Sequence, residues 1–139
     1  MQLHAYALLH KTGRAFLAPM PLRLRPGLYR EPDVVYVARS QLPSLQEQPT
    51  TAELVIEVVS PGSENRDRDY EQKRHDYATA GIPEYWIVDP ERQCITLLSV
   101  TSAKSYETPG EFHIGQTLES LILPGFTVDV AAVFVESLE

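Results

Sequence analysis

Glu57 is an acidic residue inside the most apolar stretch of the chain, AELVIEVV (52–59). Alternation with a period of two residues places its side chain on the same face of a strand as Val55 and Val59. A buried carboxylate without a partner is costly, so we expect it to pair with a cation, take up a proton or bind a metal. The structural alternative is a salt bridge to an arginine or lysine on a neighbouring element.

Asp33 opens a second strand-like stretch, DVVYVA (33–38), directly after Pro32. Aspartate is uncommon inside strands and common at their ends, so a turn or capping role is the alternative here. The strands of Asp33 and Glu57 follow one another in the chain, and sequential strands are usually neighbours in a sheet. If they pair, the two carboxylates approach each other and offer hard oxygen ligands for Mg²⁺ or Mn²⁺.

Lys73 lies in a predicted helix over residues 66–80, directly after the strand of Glu57. Asp69, Lys73 and Tyr77 are spaced by four residues and therefore share one helix face. The helix is expected to pack back across the sheet, so that Lys73 reaches the strand ends. There its charge would hold the attacking water or the transferring phosphate. The alternative is a weak surface pair between Asp69 and Lys73.

These side chains must be placed by an α/β fold with a mixed β-sheet, since the unit over 52–88 is a strand–helix–strand candidate. The Pro124-Gly125 dipeptide predicts a turn near the end of the chain. The other predicted elements are a helix over 1–11, strands over 14–18, 21–25, 84–88, 93–100 and 104–108, a loop over 40–50 and a helix over 129–137.

Composition limits the class of protein. The 139 residues are expected to form one domain over 1–139, and no apolar run is long enough to span a membrane. The only cysteine, Cys94, has no partner for an internal disulfide, and no secretory signal is evident, so we expect a cytoplasmic protein. The net charge of −7 weighs against a simple nucleic-acid-binding module. A local basic patch stays open, because arginines cluster at 23–30 and 66–74.

Four motifs resemble the Uma2 family, also called DUF820, which is grouped with the PD-(D/E)XK, restriction-endonuclease-like proteins. They are PDVVYV (32–37), LVIEVVSPGS (54–63), DYEQKRHDY (69–77) and AGIPEYWIVDP (80–90). The resemblance extends from about residue 10 through LPGFTVDVAAVF (123–134). It implies a restriction-endonuclease-like fold.

The resemblance also implies roles by position. Asp33 and Glu57 match expected metal ligands, with the backbone carbonyl of Val58 as a further ligand. Lys73 matches the motif lysine, which lies on the helix in this family, and the implied activity is metal-dependent cleavage of DNA, with Mg²⁺ or Mn²⁺ as cofactor. Asp69 and Tyr77 match supporting positions. A homodimer is expected, since many nucleases of this type cut both strands as pairs.

The chain is expected to be short at its N-terminus, because Uma2-like proteins usually begin with a further stretch that includes acidic residues. A missing acid would weaken metal binding. A catalytically inactive domain that uses the nuclease fold for binding or assembly is therefore an alternative hypothesis. A third is that all these charges form structural ion pairs.

Overall fold

The protein is described by a computed structural model that places residues 13–17, 21–38, 51–59, 63–100 and 105–137. The helix predicted over 1–11 and the loop predicted over 40–50 lie outside these residues. Within the described residues, no helix has the length and apolar character needed to cross a bilayer.

A mixed β-sheet forms the centre of the fold. Its strands lie in the order β1-β4-β5-β6-β7-β8, and β5 and β6 are parallel while the other neighbours are antiparallel. The strands of this sheet are β1 (Gly13–Leu17), β4 (Val34–Ala38), β5 (Leu54–Val58), β6 (Glu84–Asp89), β7 (Cys94–Val100) and β8 (Tyr106–His113). Helix α1 (Ser63–Thr79) connects the parallel pair, so the predicted strand–helix–strand unit and the α/β class are confirmed.

Two hairpins and a second helix complete the described structure. Strands β2 (Leu22–Arg25) and β3 (Leu28–Arg30) pair with each other, as do β9 (Thr117–Glu119) and β10 (Thr127–Asp129). Helix α2 (Val130–Ser137) follows β10 directly. Both hairpins lie outside the central sheet, one against each of its faces.

The two faces of the sheet bury separate apolar clusters. On one face, Trp86 stacks on Phe126 with ring centroids 5.6 Å apart, and the β9–β10 hairpin and α2 cover the strands. On the other face, Val55 and Tyr85 pack against Tyr77 of α1 and Leu22 of the β2–β3 hairpin. The alternation in β5 produces this division, since successive side chains of a strand point to opposite faces.

The end of α1 explains how the chain returns for the parallel pairing. Gly81 adopts a φ of 80°, a conformation that favours glycine. The N–H of Gly81 bonds to the carbonyl of Ala78, and the N–H of Ile82 bonds to the carbonyl of Tyr77. This is a Schellman cap, and it carries Ile82 into the fully buried cluster beneath the helix.

Glu84 is a carboxylate buried on the face that α2 covers, and it is fully excluded from solvent. It accepts hydrogen bonds from Trp86 Nε1 at 2.8 Å, Ser120 Oγ at 2.7 Å and the N–H of Leu121 at 2.7 Å. These bonds join β6 to the segment between β9 and β10, so the role of Glu84 is structural.

The strand predictions over 14–18, 21–25, 33–38 and 52–59 agree with the structure to within two residues at each end. Two differences have physical reasons. The helix begins at Ser63 rather than at residue 66, because its first two turns are polar throughout and show no apolar periodicity that marks a start. Strand β3 was not predicted, since three residues are too few to show a period.

Candidate metal and phosphodiester site

Pairing of β4 with β5 brings the two predicted carboxylates to one end of the sheet. The antiparallel register places Val34 opposite Ile56, so Asp33 and Glu57 each lie one residue beyond that pair. Oδ2 of Asp33 accepts a hydrogen bond of 2.7 Å from the backbone N–H of Val58. The strand neighbours expected from chain order are therefore observed, and Asp33 is anchored to the residue that follows Glu57.

Glu57 is buried, with 7% of its surface exposed, on the face covered by α1. Its Oε2 accepts a hydrogen bond of 2.9 Å from the hydroxyl of Tyr77, and its Oε1 one of 3.1 Å from Nζ of Lys73. Lys73 and Tyr77 are one helical turn apart, as their spacing predicts. The two partners of this ion pair differ in exposure, because 27% of the Lys73 side chain is exposed and 9% of the Glu57 side chain.

Burial raises the pKa of Glu57 above its ordinary value, and the negative charge of Asp33 raises it further. Lys73 and the hydroxyl of Tyr77 oppose this effect without cancelling it. The same carboxylate, after burial, raises the pKa of Tyr77, so this hydroxyl keeps its proton and acts as a donor. Burial therefore disfavours the ionised form of Glu57, and a cation bound beside the carboxylate would favour it.

A second polar cluster, which the sequence motifs do not predict, lies beside Glu57. Arg30 of β3 donates from Nε and Nη2 to Oδ2 of Asp76 on α1, at 3.0 and 2.6 Å. Gln72 donates to the other oxygen of Asp76 at 3.0 Å. Asp76 directly precedes Tyr77, and the Glu57 carboxylate interacts electrostatically with Arg30. The spacing of Gln72 and Asp76 by four residues was a signal for the helical half of this cluster.

The structure brings together Asp33, Glu57, Lys73 and Tyr77. Val58 lies beside them and donates its backbone N–H to Asp33. Asp69 belongs to α1, but its side chain is outside the described part of the structure. Tyr70, one helical turn before Lys73 on α1, donates its hydroxyl to Asp89 at 3.3 Å.

The donor chemistry fits a hard divalent cation. Asp33 and Glu57 supply carboxylate oxygens, and each oxygen that already accepts a hydrogen bond has a second lone pair. Among the described residues, no group of three or more histidine, cysteine, aspartate and glutamate side chains could hold a metal. Mg²⁺ is commonly held by one or two carboxylates together with water and substrate phosphate, so two protein carboxylates are a suitable set.

The Uma2 family model, described as "Putative restriction endonuclease", matches residues 1–131. The chain belongs to the Uma2 family. No curated protein matches it. This Uma2 chain is also similar to a crystal structure described as "a putative nuclease belonging to DUF820" from Anabaena variabilis, at 15% identity and a TM-score of 0.75.

The similarity between the two structures covers 96% of this chain and 74% of the other. At this identity it establishes the fold alone. Both the family resemblance and the restriction-endonuclease-like fold predicted from the sequence motifs are thereby confirmed.

Proposed function

We propose that this Uma2 protein is a metal-dependent endonuclease that hydrolyses phosphodiester bonds in DNA. The observation that carries the proposal is the convergence of Asp33, Glu57 and Lys73, in which a buried carboxylate of raised pKa lies between a lysine and a second carboxylate. The family description and the description of the structural relative support a nuclease activity.

Asp33 and Glu57 would hold Mg²⁺ or Mn²⁺, with the backbone carbonyl of Val58 as a further ligand. A cation bound there supplies a water of lowered pKa and offsets charge on the phosphate. The protein residues do the positioning. The N–H of Val58 fixes the carboxylate of Asp33, and the hydroxyl of Tyr77 fixes that of Glu57. Asp69 stays a proposed supporting residue by family position.

Lys73 is proposed to act on the reacting groups. Its ammonium is part-exposed while its partner is buried, so it can exchange one hydrogen bond with Glu57 for one with incoming water or phosphate oxygen. As the water oxygen bonds to phosphorus and the ester P–O bond breaks, negative charge accumulates on the phosphoryl oxygens. A fixed ammonium next to them stabilises that charge.

The experiment is cleavage of plasmid and linear DNA with Mg²⁺ or Mn²⁺. Glu57→Gln and Lys73→Gln remove the charges of the site, while Asp129→Asn serves as a control. The Asp129 carboxylate accepts the N–H of Ala131 at the start of α2, and asparagine can keep that bond. We expect cleavage by the wild type and Asp129→Asn, loss of cleavage in Glu57→Gln and reduced cleavage in Lys73→Gln. Equal background activity in the wild type and Glu57→Gln would refute the proposal.

A non-catalytic domain that binds nucleic acid or assembles with itself is the second candidate. It is favoured by the occupation of both oxygens of Glu57 by Lys73 and Tyr77, which is the arrangement of a structural ion pair. This candidate predicts DNA binding without metal-dependent cleavage. Formation of a homodimer, a cytoplasmic location and a single domain over 1–139 stay predictions from the sequence.

A further inference from the structure

The β2–β3 hairpin concentrates positive charge in an acidic protein. The segment PLRLRPGLYR (21–30) contains three arginines and no acidic residue, whereas the whole chain has a net charge of −7. The hairpin forms a two-stranded sheet of its own, separate from the central sheet. A local field of this kind orients an anionic partner even when the rest of the surface repels it.

The two sides of the hairpin differ. Leu22 pairs with Arg30 across the strands, and this side faces the core, where Leu22 is fully buried. Arg23 pairs with Tyr29 on the opposite side, and Tyr29 is 53% exposed. Arg25 is also exposed. The outward side therefore presents two arginines and an aromatic ring to solvent.

The inward side of the hairpin contacts α1, the helix that carries Lys73 and Tyr77 of the candidate site. The guanidinium of Arg30 is held by Asp76 of α1, and the next residue of the helix, Tyr77, holds Glu57. Only two residues separate Arg30 from Asp33 in the chain. Glu57 is thus linked to the hairpin through Tyr77 and Asp76 of α1, and Asp33 through two residues of the chain.

We propose that the outward side of the β2–β3 hairpin is the surface that binds the substrate's nucleic-acid backbone, with Arg23 and Arg25 on phosphates and Tyr29 stacked on a base or sugar. The inference rests on the proposed function, since it names the substrate contact of the same site. Guanidinium groups suit phosphate oxygens, and aromatic rings stack on bases of any sequence.

The test is a titration of fluorescein-labelled DNA, duplex and single-stranded, with the full chain in EDTA at several salt concentrations. Arg23→Gln and Arg25→Gln are each compared with Arg92→Gln, which removes a 60% exposed arginine paired with Glu111. The association constant falls as salt rises, so the slope of log K against log salt is negative. We expect each arginine variant of the hairpin to make this slope less steep by about 0.9 on duplex DNA, the value for one lost phosphate contact. Arg92→Gln should keep the wild-type slope.

Tyr29→Ala is expected to weaken binding of single-stranded DNA by about fivefold or more without changing the salt slope, because stacking is not ionic. Wild-type slopes for both arginine variants would overturn the inference. An equal change of the salt slope in Arg92→Gln would also overturn it, because binding would then depend on the net charge of the protein and not on the hairpin.

Failure of the inference and failure of the proposed function are distinguishable. Normal DNA binding by the hairpin variants, with cleavage lost in Glu57→Gln and reduced in Lys73→Gln, would overturn the hairpin surface and leave the endonuclease. Reduced binding by the hairpin variants, with cleavage absent from the wild type, would support the hairpin surface and overturn the endonuclease.

Discussion

The hydroxyl of Tyr77 is predicted to stabilise the protein mainly by holding the ionised carboxylate of Glu57. Tyr77→Phe removes one hydrogen bond of 2.9 Å between two buried groups and leaves the ring in place. A hydrogen bond to a charged group contributes about 1.5–3 kcal/mol, so we expect a loss of about 2 kcal/mol in the free energy of unfolding at pH 8. With a urea m-value of about 2 kcal/mol per molar, the midpoint falls by about 1 M.

The pH dependence gives the sign of the effect. The pKa of Glu57 in the folded protein lies above its ordinary value of 4.5. The protonated form of Glu57 is therefore the one that stabilises the folded state. Its contribution is complete below pH 4.5, the ordinary pKa, and is lost as the pH rises through the higher pKa of the folded protein. Tyr77→Phe raises this pKa further, so its cost should be largest at pH 8 and should shrink as the pH approaches 5, where more of the carboxyl is protonated.

Tyr106→Phe is the matched control. Tyr106 is also buried, and its hydroxyl donates to the neutral carbonyl of Ile82 at 2.9 Å. Its loss should cost about 1 kcal/mol at both pH values. Urea unfolding followed by tryptophan fluorescence measures both variants. Equal costs at pH 8 and pH 5 for Tyr77→Phe would refute the assignment of the Tyr77 hydroxyl as a donor to the ionised carboxylate of Glu57.

Lys73, Asp76 and Glu84 are further charged groups whose replacement has a predicted effect. Lys73→Gln should lower cleavage and raise the pKa of Glu57, because a compensating charge is lost, so the acid limb of the pH–rate profile should move to higher pH. Asp76→Asn should cost about 1–2 kcal/mol in urea unfolding, because it breaks a part-buried ion pair with Arg30. Glu84→Gln should cost about 1–3 kcal/mol, because an amide group must then face three donors that the carboxylate accepts.

Controls for these variants come from exposed carboxylates. Glu111→Gln breaks the exposed pair with Arg92 and should change the free energy of unfolding by about 0.5 kcal/mol or less. Glu119→Gln removes the charge of an exposed residue at the end of β9 and should have no greater effect. A pH–rate profile unchanged by Lys73→Gln, or costs for Asp76→Asn and Glu84→Gln no larger than those of these controls, would contradict the predictions.

The part of the site that lies along single elements was predictable. Alternation in one strand placed Glu57 on the same face as Val55, and a spacing of four residues placed Lys73 and Tyr77 on one side of the helix, where both contact Glu57. Chain order was enough to pair the strands of Asp33 and Glu57. Each of these inferences needs only a local period or a neighbouring strand.

Contacts between distant segments were not predictable in this way. The pair of Arg30 and Asp76 joins residues 46 apart in sequence, and it depends on where a short hairpin packs against a helix. The hydrogen bond of Tyr70 to Asp89 depends on the angle at which α1 crosses the sheet. Neither the packing position of the hairpin nor the crossing angle of α1 leaves a periodic signal in the sequence, so both contacts are seen only in the folded structure.

Calorimetric titration of Mn²⁺ into the protein most directly tests the claim that Asp33 and Glu57 form a metal site. Asp33→Asn removes a charge but keeps an oxygen that can accept the N–H of Val58, and Asp129→Asn removes a charge elsewhere. We expect binding heat for the wild type and Asp129→Asn, and none for Asp33→Asn or Glu57→Gln. Absence of binding by the wild type, or wild-type binding by Asp33→Asn, would contradict the claim.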